Sequence, residues 1–358
     1  MNVTIVGGGN VGTQFAVHCA EKGNHVTLFT SKPERFSKVL HIVDAQGNLL
    51  RKGYVSATNN SAEAFSTAEL IFITTPSFMA DEVAGKILPH VREGTFIGFV
   101  PGTGGYECAF RAALKKGCIL FGLQRVPSVA RLRKYGDTVC AVGYREKLHL
   151  AAIPSAYTAR CCELVSEILN MPCEGLGNYL NVTLTPSNPI LHTSRLYSLF
   201  QDYAAGKTYR NVPLFYEDWN DESSQRLFCC DDELQAVCAA LSDFDLSQVR
   251  SLKEHYESDT PQKLTQKIRS IESFRGISTP MIAVEGGFIP DFSSRYFTAD
   301  FPYGLAILRQ IATLCSIATP EMDEIYAWYE QIVGPHKMFS FSDYGIKNLA
   351  DVIAFYRA

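Results

Sequence analysis

The chain has 358 residues, too many for one ordinary hydrophobic core, so two domains are expected. With 46% hydrophobic and 20% charged residues and a formal net charge of −4 it reads as a soluble globular protein, and it holds no dense basic run and no apolar stretch near the ~20 residues of a membrane span, so neither nucleic acid nor a membrane is expected as a partner. The first strand signal starts at Met1-Asn2, leaving no room for a signal peptide and predicting a cytoplasmic location; the 11 cysteines, odd in number and without C-x-x-C (the adjacent pairs are Cys161-Cys162 and Cys229-Cys230), read as small buried hydrophobes rather than a metal site.

In chain order, the opening MNVTIVGGGNVG is a β-branched strand over 3–6 running into a glycine turn. Gly7, Gly9 and Gly12 fill the G-x-G-x-x-G spacing. The first suits the tight turn, the second a backbone that approaches a pyrophosphate, the third a helix packed close on the strand. From Val11 an apolar stripe (Val11, Phe15, Ala16, Cys19, Ala20) predicts the helix, and 25–29 predicts the second strand. That context turns a weak motif into a dinucleotide site, to which Asn10 and Val11, in the helix's first turn, belong by position. The second strand ends without the acid that takes ribose hydroxyls. Thr30, Ser31, Lys32 and Arg35 stand there instead, and hydroxyls with cations suit a 2′-phosphate, so NADPH is favoured over NADH. Lys32 and Arg35 as plain solvated charges is the competing reading.

Residues 44–48 (DAQGN) predict a hairpin turn, and strands are expected over 69–74, 95–100, 118–123 and 138–143, with helices over 77–88 and 106–116. This alternation predicts an α/β domain of Rossmann type, a doubly wound parallel sheet, over 1–177. Ligands of such sheets lie beyond the strands' C-terminal ends, which places Thr75-Pro76 and the turn Pro101-Gly102-Thr103-Gly104-Gly105 near cofactor and substrate. The start of the helix after Gly104-Gly105 could add backbone donors. Over 178–358 helical patterns dominate (189–200, 231–241, 261–273, 303–317, 320–333), so an all-α second domain is expected, with the active site between the two. Two of its segments join chemistry to helix starts. In TPSNPILH, Ser187 or Asn188 could cap a helix whose first turn holds Pro189 and then His192; in SRYFTADFP, Arg295 and Asp300 lie just before Pro302. Read alone, His192 fits an acid/base or a structural histidine, Asp300 a partner or a helix-end charge, and Arg295 an anchor or a surface ion-pair partner.

GGGNVG, ITTP after the third strand, PGTGG after the fourth, SNPILH, RYFTADFPYGL, TPEMD and the closing SDYGI match, in order and separation, a known family. The chain resembles the opine dehydrogenases of the octopine/nopaline group over nearly its whole length. That resemblance implies reductive condensation of an amino acid's amine with a 2-oxo acid, using NAD(P)H. It implies His192 as catalytic acid/base, Asp300 as its partner and Arg295 as holder of a substrate carboxylate. The residue types suit the chemistry: an imidazole titrates near neutral pH, and a guanidinium fork fits carboxylates. The chain departs from the family at Thr193, where proline usually follows the histidine, and at Ala299, where an acid usually precedes the aspartate. After the fifth strand it reads GLQRVPS, so Gln124 replaces a usual Glu and Arg125 adds a cation. That site, with Thr103, Gly104 and Asn188 as further substrate contacts, is therefore expected to refuse arginine and lysine and to favour a neutral or acidic amino donor, or a polycarboxylate 2-oxo acid. Arg131, Arg133 and Lys134 strengthen that local positive charge, although as a run they read as a solvated loop. Two other readings stand: a ketopantoate-reductase-like enzyme, for which Lys207, Lys253 or Lys263 would be the lysine, and a silent NADP(H)-binding sensor. The substrates expected are small molecules, and assembly, a homodimer included, is left open.

Overall fold

The computed structural model describes residues 1–357, apart from the side chain of Ser187. Contacts divide the chain into two units, Met1–Thr183 joined by the segment from Ile353, and Leu184–Val352. The first unit thus extends past the expected boundary at 177 and takes in the chain's closing segment.

The first unit is built on one sheet. Its strands are β1 (Asn2–Val6), β2 (His25–Phe29), β3 (Val39–Val43), β4 (Leu49–Thr58), β5 (Leu70–Ile73), β6 (Phe96–Phe99), β7 (Ile119–Leu123), β8 (Val129–Lys134), β9 (Thr138–Val142), β10 (Leu148–Ile153) and β11 (Cys173–Gly175), in the order 11-10-7-6-5-1-2-4-3-9-8. The block 7-6-5-1-2-4 is wholly parallel. Its central strands are largely apolar, LIFI in β5 being buried at all four residues because helices cover both faces, whereas β4 carries charged residues and alternates. Helix α1 (Asn10–Glu21) lays Phe15, Ala16, Val17 and Cys19 on the sheet, with the Phe15 and Phe72 rings edge-on at 4.9 Å. Helix α2 (Ala80–Ile87) follows a single 3₁₀ turn, and α3 (Thr158–Leu169) packs by β10.

Two expectations change and one holds. The helix expected over 106–116 breaks at Phe110 (φ −95°, ψ 7°) into Tyr106–Ala109 and Arg111–Leu114. The fully buried Phe110 ring packs on Phe99 at 5.3 Å, and that burial outweighs the helical hydrogen bonds given up. Arg131, Arg133 and Lys134 are not a loop but the outer part of β8, an edge strand, where such charges deter pairing with another sheet. The 44–48 turn forms as read: Asp44 accepts from the backbone N–H of Gln46 and Asn48 at 3.0 and 2.8 Å and closes the β3–β4 hairpin.

The second unit is helical: α4 (Ser187–Phe200), α5 (Asp221–Ala240), α6 (Pro261–Ser270), α7 (Ala306–Leu314) and α8 (Pro320–Val333), with one hairpin of β12 (Met281–Val284) and β13 (Gly287–Pro290) that the sequence did not announce. Helix α5 begins ten residues before the apolar pattern does, because the Asn220 side chain caps it by accepting the Ser223 N–H at 2.9 Å. Helix α4 starts after Pro186 with no side-chain cap; Asn188 lies inside its first turn rather than at the cap, and the Ser187 side chain expected there lies outside the described residues. Pro302 does not start a helix. It sits inside a π-helical stretch, Tyr296–Leu305, that runs on into α7. A proline lacks the N–H and crowds the carbonyl one turn back, and a widened turn accommodates both. Among the described residues no helix is long and apolar enough to cross a membrane.

His18, buried on α1, meets the Tyr144 hydroxyl at 3.3 Å. Burial, helped by the Arg51 charge, pushes its pKa down to about 4. The unfolded chain takes the proton near pH 6.5 and the folded one only near 4, so stability is lost as pH falls through that window, by roughly 3 kcal/mol at most. His18→Gln should flatten the acid limb of stability between pH 6.5 and 4, as read by urea midpoints across pH; an unchanged limb would show that His18 does not contribute.

Candidate functional site

In the first unit the glycine turn is built by two kinds of constraint. Gly7 takes φ +100°, which L side chains rarely adopt, and a Cβ on Gly12 would lie 1.8 Å from the Gly7 carbonyl oxygen. Gly8, absent from the motif logic, is equally fixed, because a Cβ there would strike the Phe36 ring at 2.2 Å. Gly9 differs: nothing lies within 4 Å of its Cβ position, and it stands at the N-cap of the 12-residue α1, which has no side-chain cap. Open space before uncapped helical N–H groups fits the pyrophosphate of a dinucleotide. Asn10 spends its side chain on the fold, accepting the Leu132 N–H at 2.8 Å, and Val11 is half-buried against the core. Beyond β2, Thr30 is buried while Ser31, Lys32 and Arg35 are exposed. The Arg35 guanidinium lies 5.0 Å over the Tyr135 ring, and the turn behind it is held by the Ser37 N–H on the Gly136 carbonyl at 2.8 Å.

Beyond β5, the Thr75 hydroxyl meets the Tyr106 hydroxyl at 2.9 Å, and Tyr106 donates to the Thr75 and Pro76 carbonyls at 2.7 and 2.9 Å. Thr75-Pro76 is thereby tied to the Thr103-Gly104-Gly105 turn, which precedes Tyr106. The helix after that turn has only four residues, so it offers less of an N-terminal field than expected. Gln124 donates its side-chain amide to the Asn181 carbonyl at 3.3 Å.

In the second unit α4 and the π-helical stretch bring two predicted residues together. His192 Nδ1 lies 2.8 Å from Asp300 Oδ2, with both side chains largely buried. A carboxylate only accepts, so Nδ1 carries the proton and Nε2 is the nitrogen left to exchange one with a donor or acceptor beside it. The imidazole is walled by Tyr296 at 4.5 Å and, edge-on, Phe215 at 5.6 Å. Arg295 immediately precedes the π-helical stretch and is exposed, with no partner among the described residues; Asn188 is exposed on the first turn of α4.

Two residues of this site were not found in the sequence. Tyr216 places its hydroxyl 2.9 Å from His192 Nε2. Arg195, one turn after His192, is buried and makes no carboxylate bond among those described. It donates to the Phe215 carbonyl (3.0 Å), the Asp218 carbonyl (2.7 Å) and the Ser223 hydroxyl (3.0 Å), and lies 5.4 Å over the Trp219 ring. Burial pushes its pKa down to about 10, which still leaves it charged at neutral pH. Their signal was the spacing of Arg195 from His192 on one helix; the loop residues 215–219 carry no motif.

Residues 175–333 match the family model for NAD/NADP octopine/nopaline dehydrogenase, alpha-helical domain, and residues 3–139 that for ketopantoate reductase PanE/ApbA. The chain is 26% identical to the tauropine dehydrogenase of Arabella iricolor, over 93% of this chain and 91% of that one, and 25% identical to the octopine dehydrogenase of Pecten maximus, over 93% and 90%. Its fold is similar to that of an octopine dehydrogenase solved with NADH and L-arginine, with a TM-score of 0.86 at 22% identity, covering 99% of this chain and 98% of that one.

Arg195→Met keeps the bulk and the stack on Trp219 but leaves two carbonyls and a hydroxyl without their donor. It should destabilise the protein by about 3 kcal/mol, seen as a lower urea midpoint at unchanged slope; a loss below about 0.5 kcal/mol would show the loop is held by other means.

Proposed function

The chain belongs to the opine dehydrogenase family, NAD(P)-dependent oxidoreductases acting on CH–NH bonds, and from that premise we propose that it uses NADPH to condense an amino acid reductively with a 2-oxo acid, giving an N-(carboxyalkyl)amino acid. The observation that carries this reading is the His192–Asp300 pair at 2.8 Å, with Arg295, which has no partner among the described residues, a short way before Asp300 in the chain.

Arg295 binds a substrate carboxylate through its fork of donors and orients the 2-oxo acid. Amine attack on the keto carbon gives a carbinolamine, whose hydroxyl leaves as water only if it gains a proton. His192 supplies that proton and takes one from the incoming ammonium, while Asp300 fixes the tautomer. The bound nicotinamide supplies the hydride that reduces the resulting C=N bond. The Gly7–Gly12 turn holds its pyrophosphate, with Asn10 and Val11 contributing their place in the first turn of α1; Thr30, Ser31, Lys32 and Arg35 hold the 2′-phosphate, and Thr75-Pro76 borders the site. Thr103, Gly104, Gln124, Arg125 and Asn188 contact the substrates. Gln124 and Arg125 favour a neutral or acidic amino donor, or a 2-oxo acid with a second carboxylate. A lysine-based ketoreductase mechanism has less support, because Lys207, Lys253 and Lys263 pair with Asp202, Asp232 and Asp259.

NADPH oxidation across amino acids and 2-oxo acids, with product mass recorded, tests the reaction. Oxidation should require both partners and give the mass of the reduced condensate, with glutamate or apolar amino acids used better than arginine. His192→Ala should lower kcat by about 10²–10⁴, and Asp300→Asn should follow it. Oxidation with a 2-oxo acid alone would overturn condensation, and clear preference for arginine would overturn the donor assignment. The cofactor assignment has its own test: the double change Lys32→Ala, Arg35→Ala should weaken NADPH binding about tenfold in a fluorescence titration and leave NADH binding within twofold. Equal effects on both cofactors would remove the 2′-phosphate from that turn.

A further inference from the structure

Both ring nitrogens of His192 are occupied. Asp300 accepts from Nδ1 at 2.8 Å, and the Tyr216 hydroxyl lies 2.9 Å from Nε2. The nitrogen that exchanges the proton therefore faces a phenol. A substrate atom could reach Nε2 in the ring plane only by displacing that phenol, and the surroundings oppose it. The Tyr216 ring is stacked on Phe274 at 4.1 Å and 19°, lies parallel to Trp219 at 6.4 Å and 7°, and takes the edge of Phe215 at 4.9 Å. Each such pair adds stabilisation beyond its area burial. The backbone is held as firmly. Arg195 clasps the Phe215 and Asp218 carbonyls, the Phe215 N–H donates to Ile277 at 2.7 Å, and the Asp218 carboxylate accepts the Leu214 N–H at 2.7 Å.

We propose that Tyr216 is a further catalytic residue, whose hydroxyl relays the proton between His192 Nε2 and the substrate. This rests on the condensation described above. In the dehydration step the His192 Nε2–H bond breaks and its proton passes to Tyr216 Oη, while the hydroxyl's own proton passes to the carbinolamine oxygen. The C–O bond breaks with its electron pair on oxygen, water leaves, and the nitrogen lone pair forms the C=N bond. The phenol ends neutral, so no phenolate is required, and the imidazole ends neutral against Asp300. When the amine is activated the same path runs backward, from substrate ammonium through Oη to Nε2. Arg195 acts on this step only by position, through the loop that carries Tyr216.

Tyr216→Phe removes the hydroxyl and keeps the stacked ring. The relay predicts a fall in kcat of about 100-fold, with KM for both substrates and the NADPH dissociation constant within twofold of the parent and an unchanged melting temperature. A kcat within threefold of the parent would overturn it. So would a loss carried by KM instead, which would make Tyr216 a binding residue. His192→Ala, measured alongside, separates the two levels: turnover surviving in it would overturn the histidine mechanism itself, whereas an inactive His192→Ala beside an active Tyr216→Phe would overturn the relay alone.

Discussion

The separation of His192 from Asp300 is set by how closely two helical segments approach, and a glycine, Gly304, lies at that contact. A Cβ on Gly304 would lie 3.1 Å from Pro189, tighter than ordinary van der Waals contact, so a side chain there would make Pro189 give by a few tenths of an ångström where the π-helical stretch meets α4. The contact lies one turn from His192 on one element and one turn from Asp300 on the other. Pro302, between Asp300 and Gly304, completes the device. It cannot continue regular helical bonding, the turns around it widen, and the widened stretch carries Asp300 into the same packed contact. Backbone irregularity, close packing and the His192–Asp300 hydrogen bond are one arrangement.

Electrostatics supports the same region from the other side. Arg195 is 1% exposed, and a guanidinium so buried is tolerable only if its donors are met. The acceptors described are carbonyl dipoles and a hydroxyl, while the Asp218 carboxylate favours the cation by its charge without a direct bond among those described, so Arg195 holds the loop chiefly through backbone acceptors. The cost of its burial is offset by fixing residues 215–219 against α4, which presents Tyr216 to the imidazole. Helix α4 therefore carries His192 and, one turn on, the arginine that positions the loop of Tyr216 beside it.

Much of this was legible in the sequence, for physical reasons that differ by element. The glycine turn was readable because left-handed φ at Gly7 and backbone contact at Gly12 each exclude a side chain. Gly8 was not, because its constraint comes from Phe36, which reaches it only in the folded unit. Strands β1, β2, β5, β6, β7 and β9 were readable as short, mostly buried apolar runs, whereas β8 was read as a loop and β10 and β11 were not assigned. The helix over 106–116 was misread because periodicity does not register the pull of one buried ring, Phe110. The pairing of His192 with Asp300 came from resemblance rather than pattern, since 108 residues separate them. Tyr216 was invisible on both counts: it sits on an irregular loop whose shape is set by a distant arginine.

The closing segment shows why no boundary drawn along the sequence can complete the first unit. Glu107 is fully buried beside β6, and one of its carboxylate oxygens accepts from the Thr183 and Tyr356 hydroxyls, each at 2.7 Å. Burial pushes the Glu107 carboxyl up from its ordinary range, so these two donors supply the compensation that makes the residue tolerable there. Thr183 is the last residue before the chain leaves this unit, and Tyr356 belongs to the segment that returns to it. A protein lacking the returning segment would leave the carboxyl with one donor fewer in a site without water's help, and the Phe355 ring, now 5.2 Å from the Arg111 guanidinium, would be withdrawn as well. The first unit is therefore closed by residues more than 170 positions beyond Thr183, held by a buried acid that the sequence presents only as the second residue of a short helix.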